Sequence, residues 1–208
     1  MAGALELLTF QASPAYLKDR SIFNGIFKEV LSALGCKGLY FGQQLEDEKT
    51  GYLLIVWETY EHHKALIDSA GYGQIVAQLK TGIDETAPVP FELIHIPLDT
   101  DPTAALEAEV TEVAIFTPKA DKVETVIPEL RNLEQELNKV KGSRPPSTLN
   151  EVREKPGNWG FIVGWDSVEA HTSAVQVPAI KAIIDKVLGS KDATATMGHV
   201  ALSKFVSS

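Results

Sequence analysis

The second half of this chain repeats the first. The segment Gly51-Tyr52-Leu53-Leu54-Ile55-Val56-Trp57-Glu58-Thr59-Tyr60-Glu61-His62-His63 aligns with Trp159-Gly160-Phe161-Ile162-Val163-Gly164-Trp165-Asp166-Ser167-Val168-Glu169-Ala170-His171. A shift of 108 residues sets Trp57 on Trp165, Glu61 on Glu169 and His63 on His171. A second match, at a shift of 104, sets His95-Ile96-Pro97-Leu98 on His199-Val200-Ala201-Leu202, so four of the five histidines fall in pairs. Internal repetition on this scale demands two copies of one folding unit.

Two such units fit in 208 residues, and 44% hydrophobic content gives each a core. Their expected bounds are 1–100 and 107–208, joined by the linker Asp99 to Leu106 with Pro102 inside it. No apolar run approaches the roughly 18 residues of a membrane helix. The stretch Met1 to Pro14 carries Glu6 and lacks the basic start of a signal peptide. One cysteine, Cys36, excludes an internal disulfide and fits a reducing compartment, so the expected setting is the cytoplasm. The net charge of −9 is uneven: residues 1–104 hold 7 basic and 14 acidic side chains, and 105–208 hold 12 and 14. An acidic surface without a basic stripe repels phosphate backbones, so neither nucleic acid nor a membrane is an expected partner. The excess acid reads as solubility.

Each half reads as strand, helix, strand, strand, helix, strand. In the first, Leu5 to Gln11 is a strand and Ser13-Pro14 starts a helix. Ile22, Phe23, Ile26, Phe27, Val30, Leu31 and Leu34 form its apolar stripe and Gly35 ends it. Lys37 to Glu46 and Tyr52 to Thr59 are strands, Glu61 to Lys80 a second helix and Phe91 to Leu98 the closing strand. In the second, Glu109 to Phe116 is a strand and Pro118 to Asp121 a helix start. The stripe Val123, Val126, Ile127, Leu130, Leu133, Leu137, Val140 follows and stops at Gly142. Thr148 to Glu154 and Asn158 to Asp166 make a hairpin. Ser167 caps a helix running to about Leu188, with Glu169 in its first turn, and Thr196 to Phe205 closes the unit.

This is an α+β chain of two ferredoxin-like βαββαβ repeats. Both parities of Leu53-Leu54-Ile55-Val56-Trp57 are apolar, as in a strand buried on both faces. The expected solution packs the two sheets against each other, as an intrachain dimeric α/β barrel ringed by helices.

A strand followed by Trp-x-[Ser/Thr]-x-Glu-x-His and a helix resembles the dimeric α/β-barrel superfamily, most closely its antibiotic biosynthesis monooxygenase-like branch. Trp57-Glu58-Thr59-Tyr60-Glu61-His62-His63 and Trp165-Asp166-Ser167-Val168-Glu169-Ala170-His171 carry the resemblance, which covers nearly the whole chain as a tandem. It implies a fold shared by cofactor-free monooxygenases, polyketide cyclases, muconolactone isomerases, haem enzymes and stress-induced proteins. Fold does not fix activity among them.

His63 shares positions i, i+3, i+4 and i+7 with Leu66, Ile67 and Ala70, and His171 shares its face with Ala174, Val175 and Pro178. A histidine on the sheet-facing side is either a neutral base or a core residue bonded to its neighbours. His95 and His199 lie mid-strand where they could approach His63 and His171. Tyr72, between Gly71 and Gly73 in a broken helix, offers a hydroxyl that the second repeat lacks. The expected catalytic set is therefore His63, His95 and Tyr72. Trp57, His171, His199 and Trp165 are the expected substrate contacts. Two histidines without a third ligand give no metal site, and no basic set offers to hold haem, so no cofactor is expected. The resemblance implies a cofactor-independent monooxygenase or cyclase acting on a small apolar aromatic or polyketide-like substrate. The alternative is a non-catalytic ligand-binding or stress-responsive barrel. A homodimer of such chains stays open, because the tandem already supplies a partner sheet.

Overall fold

The computed structural model describes residues 3–206, so the extreme ends of the two expected domains, residues 1–2 and 207–208, lie outside the described residues. The chain divides into two units: one runs up to Pro97 and resumes at Ser203, the other spans Leu98–Leu202. No helix among the described residues is long and apolar enough to cross a membrane.

The first unit contains β1 (Gly3–Gln11), α1 (Pro14–Lys18), a 3-10 turn (Arg20–Phe23), α2 (Asn24–Ser32), β2 (Cys36–Gln43), β3 (Thr50–Trp57), α3 (Tyr60–Ile67), α4 (Tyr72–Thr81) and β4 (Phe91–Leu98). The second contains α5 (Thr103–Leu106), β5 (Val110–Pro118), α6 (Val123–Leu137), β6 (Ser143–Glu151), β7 (Trp159–Trp165), α7 (Val168–Ala174), α8 (Pro178–Ile184), a π-helical turn (Asp185–Gly189) and β8 (Ala193–Val200). Strand order is β4-β1-β3-β2 in one sheet and β8-β5-β7-β6 in the other, the same ferredoxin-like arrangement twice. A last strand, β9 (Ser203–Lys204), adds to the first sheet beside β2.

Several elements differ from the sequence expectation. The first helix is broken into α1, a 3-10 turn and α2, and Leu34 at the end of its stripe is exposed. The expected helix 61–80 is two helices, parted at the glycines around Tyr72. Its counterpart is parted at Pro178, which cannot donate a backbone bond and drives Val177 out of the helical region, to ψ 125°. Strand β6 starts at Ser143 rather than Thr148. Pro145 and Pro146 are tolerated there because β6 lies at a sheet edge and shifts register across them. The expected closing strand 196–205 stops at Val200. The chain then leaves that sheet, and the Phe205 amide bonds the carbonyl of Leu39 in the first unit.

The cores are packed differently. In the first unit Phe10, Tyr16, Phe23, Phe27, Phe41 and Phe205 form a chain of ring contacts with centroids 5.0 to 5.9 Å apart. Each such contact adds roughly 0.5–1.5 kcal/mol beyond the area it buries. The second unit's core is chiefly aliphatic, with Leu130, Leu133, Leu137, Ile180, Ile183 and Val187 facing β5 and β7. On β3, Leu53, Ile55 and Trp57 are buried on the helix side and Tyr52 and Leu54 on the other, the two-sided burial its composition implies.

Candidate active site

The Trp-x-[Ser/Thr]-x-Glu-x-His motif is a strand-to-helix turn whose parts have separable tasks. Thr59 caps α3 by accepting from the His62 amide, and Ser167 caps α7 by accepting from the Ala170 amide. Glu61 and Glu169 then stand in the positive first turn. One residue past each cap's partner helix turn begins the buried face, which carries His63 and His171 inward, 2% and 8% exposed. His62 turns aside, its Nδ1 3.1 Å from the Thr59 hydroxyl.

Beneath each helix the inward histidine meets the same three groups. Trp57 lies stacked on His63, with centroids 5.0 Å apart and planes 13° from parallel; Trp165 and His171 are 5.1 Å apart at 31°. His63 Nδ1 is 2.7 Å from His95 Nε2, and His171 Nδ1 is 2.7 Å from His199 Nε2. The third group is a buried carboxylate on the first strand. Trp57 Nε1 donates to Glu6 Oε2 at 2.8 Å, and Trp165 Nε1 donates to Glu112 Oε2 at 2.9 Å. The same oxygens lie 3.4 Å from His63 Nε2 and 3.6 Å from His171 Nε2, close enough for charge pairing and long for a hydrogen bond. Glu112 sits directly across the sheet from His199 and Val163, with Trp165 two residues further along β7. Strand alternation therefore sets all of these side chains on the helix-facing side.

The expected partnership of His63 with His95, and of His171 with His199, is thus formed. Sequence reading missed Glu6 and Glu112. Their signal was the match of Glu6-Leu7-Leu8-Thr9-Phe10 to Glu112-Val113-Ala114-Ile115-Phe116, at a shift of 106, which sets an acid at the same place in two apolar strands.

Each trio places Glu and two His donor atoms within 4.8 Å of one another, all buried. Their spacing is that of a hydrogen-bonded row. Two ligands on a tetrahedral ion stand about 3.3 Å apart, given bonds of about 2.0–2.1 Å. The histidine nitrogens are closer than that, and His63 spends its two nitrogens on opposite neighbours.

The repeats part company in the space beside the row. In the second, an apolar cavity of about 330 Å³ lies between β5, β7, β8 and the helices. Ala114, Phe116, Leu133, Phe161, Val187 and Met197 are among its walls, and Glu112 and His171 are its charged or titratable members. The matching space in the first repeat is about 30 Å³, lined by Glu6, Trp57, His63 and Tyr72 together with Phe27, Leu66 and Leu93. Side-chain volume accounts for the difference. Leu66 and Tyr72 line the small space at positions where the second repeat has Ala174 and Ile180, neither of which reaches the cavity wall, and the π-helical turn Asp185–Gly189 carries Val187 and Leu188 of that wall. Burial, and after it the negative charge of Glu6, push the Tyr72 hydroxyl above its usual pKa. Cys36 is pushed up to about 11 by burial, which leaves it a poor nucleophile.

The fold, two ferredoxin-like α+β repeats in one chain, is one that solved structures share. Three solved structures share the arrangement over 98% of this chain. A candidate monooxygenase from Fusobacterium nucleatum matches with TM-score 0.73 and 10% identity over 94% of its length. A candidate monooxygenase from Lactobacillus acidophilus matches with TM-score 0.66 and 12% identity over 96%. An anthrone oxidase-like protein matches with TM-score 0.61 and 14% identity over 94%. At such identities the likeness is one of fold. No protein-family model and no curated protein matches the sequence.

Proposed function

We propose that this chain is a cofactor-independent enzyme of monooxygenase or cyclase type, acting on a small, apolar, enolisable aromatic or polyketide-like molecule. The observation that carries this reading is the 330 Å³ apolar cavity ending on Glu112 and His171. An apolar pocket with a few convergent polar groups is the usual form of a small-molecule site. Proteins of this fold include ones named for monooxygenase and anthrone oxidase-like character, which agrees with it.

In this scheme His171 Nε2 accepts the proton from a carbon conjugated with the substrate carbonyl, and His199, 2.7 Å behind Nδ1, shares the charge. The bonding pair passes into the ring as an enolate, which can reduce dioxygen without a cofactor. With anthrone the balance closes as anthrone plus O2 giving anthraquinone plus water. A cyclase would direct the same enolate onto a second carbonyl of its substrate and consume no oxygen. Trp165 walls the base, while His63 and Tyr72 border a space that admits only a water-sized molecule, and with His95 behind His63 they serve the first repeat's core. The proposed setting is cytoplasmic, with a small molecule as partner and not nucleic acid, and two chains free to pair as a homodimer.

The test is oxygen uptake with anthrone, with product mass read in parallel, for the native chain and His171→Ala. Turnover lost in the variant, with binding of anthrone kept, supports the enzyme reading. Binding without turnover in the native chain would make it a carrier, and enolate chemistry without oxygen uptake would make it a cyclase.

A further inference from the structure

Resting on that reading, we infer that the outward carboxylate oxygen of Glu112 is the polar anchor for the ligand, and that a ligand presenting a hydroxyl donor at one end of an apolar body, as the enol tautomer of anthrone does, is favoured over one without.

Glu112 is 5% exposed and stands mid-strand among apolar neighbours. Its Oε2 is occupied by the Trp165 indole N–H, with His171 Nε2 beside it. Among the described residues no other group engages the carboxylate, so Oε1 is left to the cavity that Glu112 lines. A ligand that fills the cavity takes water from this oxygen and must supply a donor in its place, or the carboxylate loses its solvation. The other polar wall is less available. His171 turns Nδ1 to His199, and its Nε2, 3.6 Å from Glu112 Oε2 and too long for a hydrogen bond, is the atom that takes the proton in the reaction.

Carboxylates only accept hydrogen bonds. An ether or ketone oxygen at this end of the cavity would face lone pairs, while a phenolic or enolic O–H would complete the shell of Oε1. The equivalent carboxylate, Glu6, has no comparable space beside it. One anchor per chain follows, although the sequence carries two copies of the motif.

Calorimetric titration with three probes of nearly equal size tests this: 1-naphthol, 1-methoxynaphthalene and naphthalene. The expected result is one site per chain, with 1-naphthol bound about tenfold or more tighter than the other two, the range for a hydrogen bond to a charged group. Glu112→Gln should erase that preference while leaving naphthalene affinity unchanged, which also certifies that the variant's cavity is intact. Glu6→Gln should keep the preference. Equal binding of all three probes by the native chain overturns the anchor and leaves the apolar site standing. Binding of none overturns both. A preference that survives Glu112→Gln assigns the donor's partner to another residue and overturns the inference. The native comparison requires no variant to fold.

Discussion

Trp165 holds Glu112 in place: the indole N–H reaches Oε2 at 2.9 Å, from a strand adjacent to the carboxylate's own. Indole is large enough to bury against the helix and still carry a donor to the sheet, which phenylalanine cannot do. Trp165→Phe should lower stability by about 1–3 kcal/mol, because a buried carboxylate loses its donor. Urea denaturation measures this, and Trp57→Phe should cost a similar amount through Glu6.

The two histidine rows should respond differently to truncation. His171→Ala is expected to slow turnover by at least about 100-fold, the usual scale for loss of a general base, with ligand affinity little changed. His63→Ala should leave turnover in place and lower stability by about 1–3 kcal/mol, since His95 and Glu6 lose a buried partner. Steady-state kinetics beside thermal melts of the two variants separates the roles.

Ala114→Leu gives the second repeat the side chain that the first has at Leu8. The cavity that Ala114 lines then loses volume, and probe binding should fall below detection in calorimetry. Melting temperature should hold or rise, because the added methyl groups fill existing space at about 0.8 kcal/mol per buried carbon.

Alkali should destabilise the first unit through its buried thiol and phenol. Burial pushes Cys36 up to about 11 and Tyr52 up to about 12, while unfolded they titrate near 9 and 10. Between those values the unfolded chain binds fewer protons than the folded one, so stability falls as pH rises. It is fully present below about pH 9 and lost progressively toward 12. Melting temperatures from pH 8 to 11.5 should decline over that window, and Cys36 should resist alkylation at pH 8 until the chain is denatured.

Gly35 ends the run after α2 at φ +82°, and a Cβ there would collide with the His62 ring. Gly35→Ala should cost roughly 1–3 kcal/mol through backbone strain and displacement of that ring, as read by urea midpoint.

The repeat, the α+β pattern and the histidine pairs were legible because they are matters of spacing along the chain. Trp57, His63 and His95 could be found by aligning the chain with itself. Glu6 and Glu112 escaped because a single acid in a strand counts as a surface charge until the strand's inward parity is known. The unequal cavities were not legible at all. They depend on Leu66 and Tyr72 reaching the first repeat's space where Ala174 and Ile180 stay clear of the second's, and on a π-helical turn that no local pattern announces. The pairing of Ser203 and Lys204 with β2 is likewise a contact across more than 160 residues, with no propensity to mark it.

That pairing decides how the molecule can be dissected. A cut at the linker near residue 100 would separate the two repeats in sequence but strip the first of β9 and of Phe205, whose ring packs on Phe27 at 5.3 Å. The first half expressed alone would present the edge of β2 and part of its aromatic core to water. A faithful isolated first repeat would need the tail grafted back, by permuting the chain order or as an added peptide, and a tag on the tail would burden the half opposite to the one it follows.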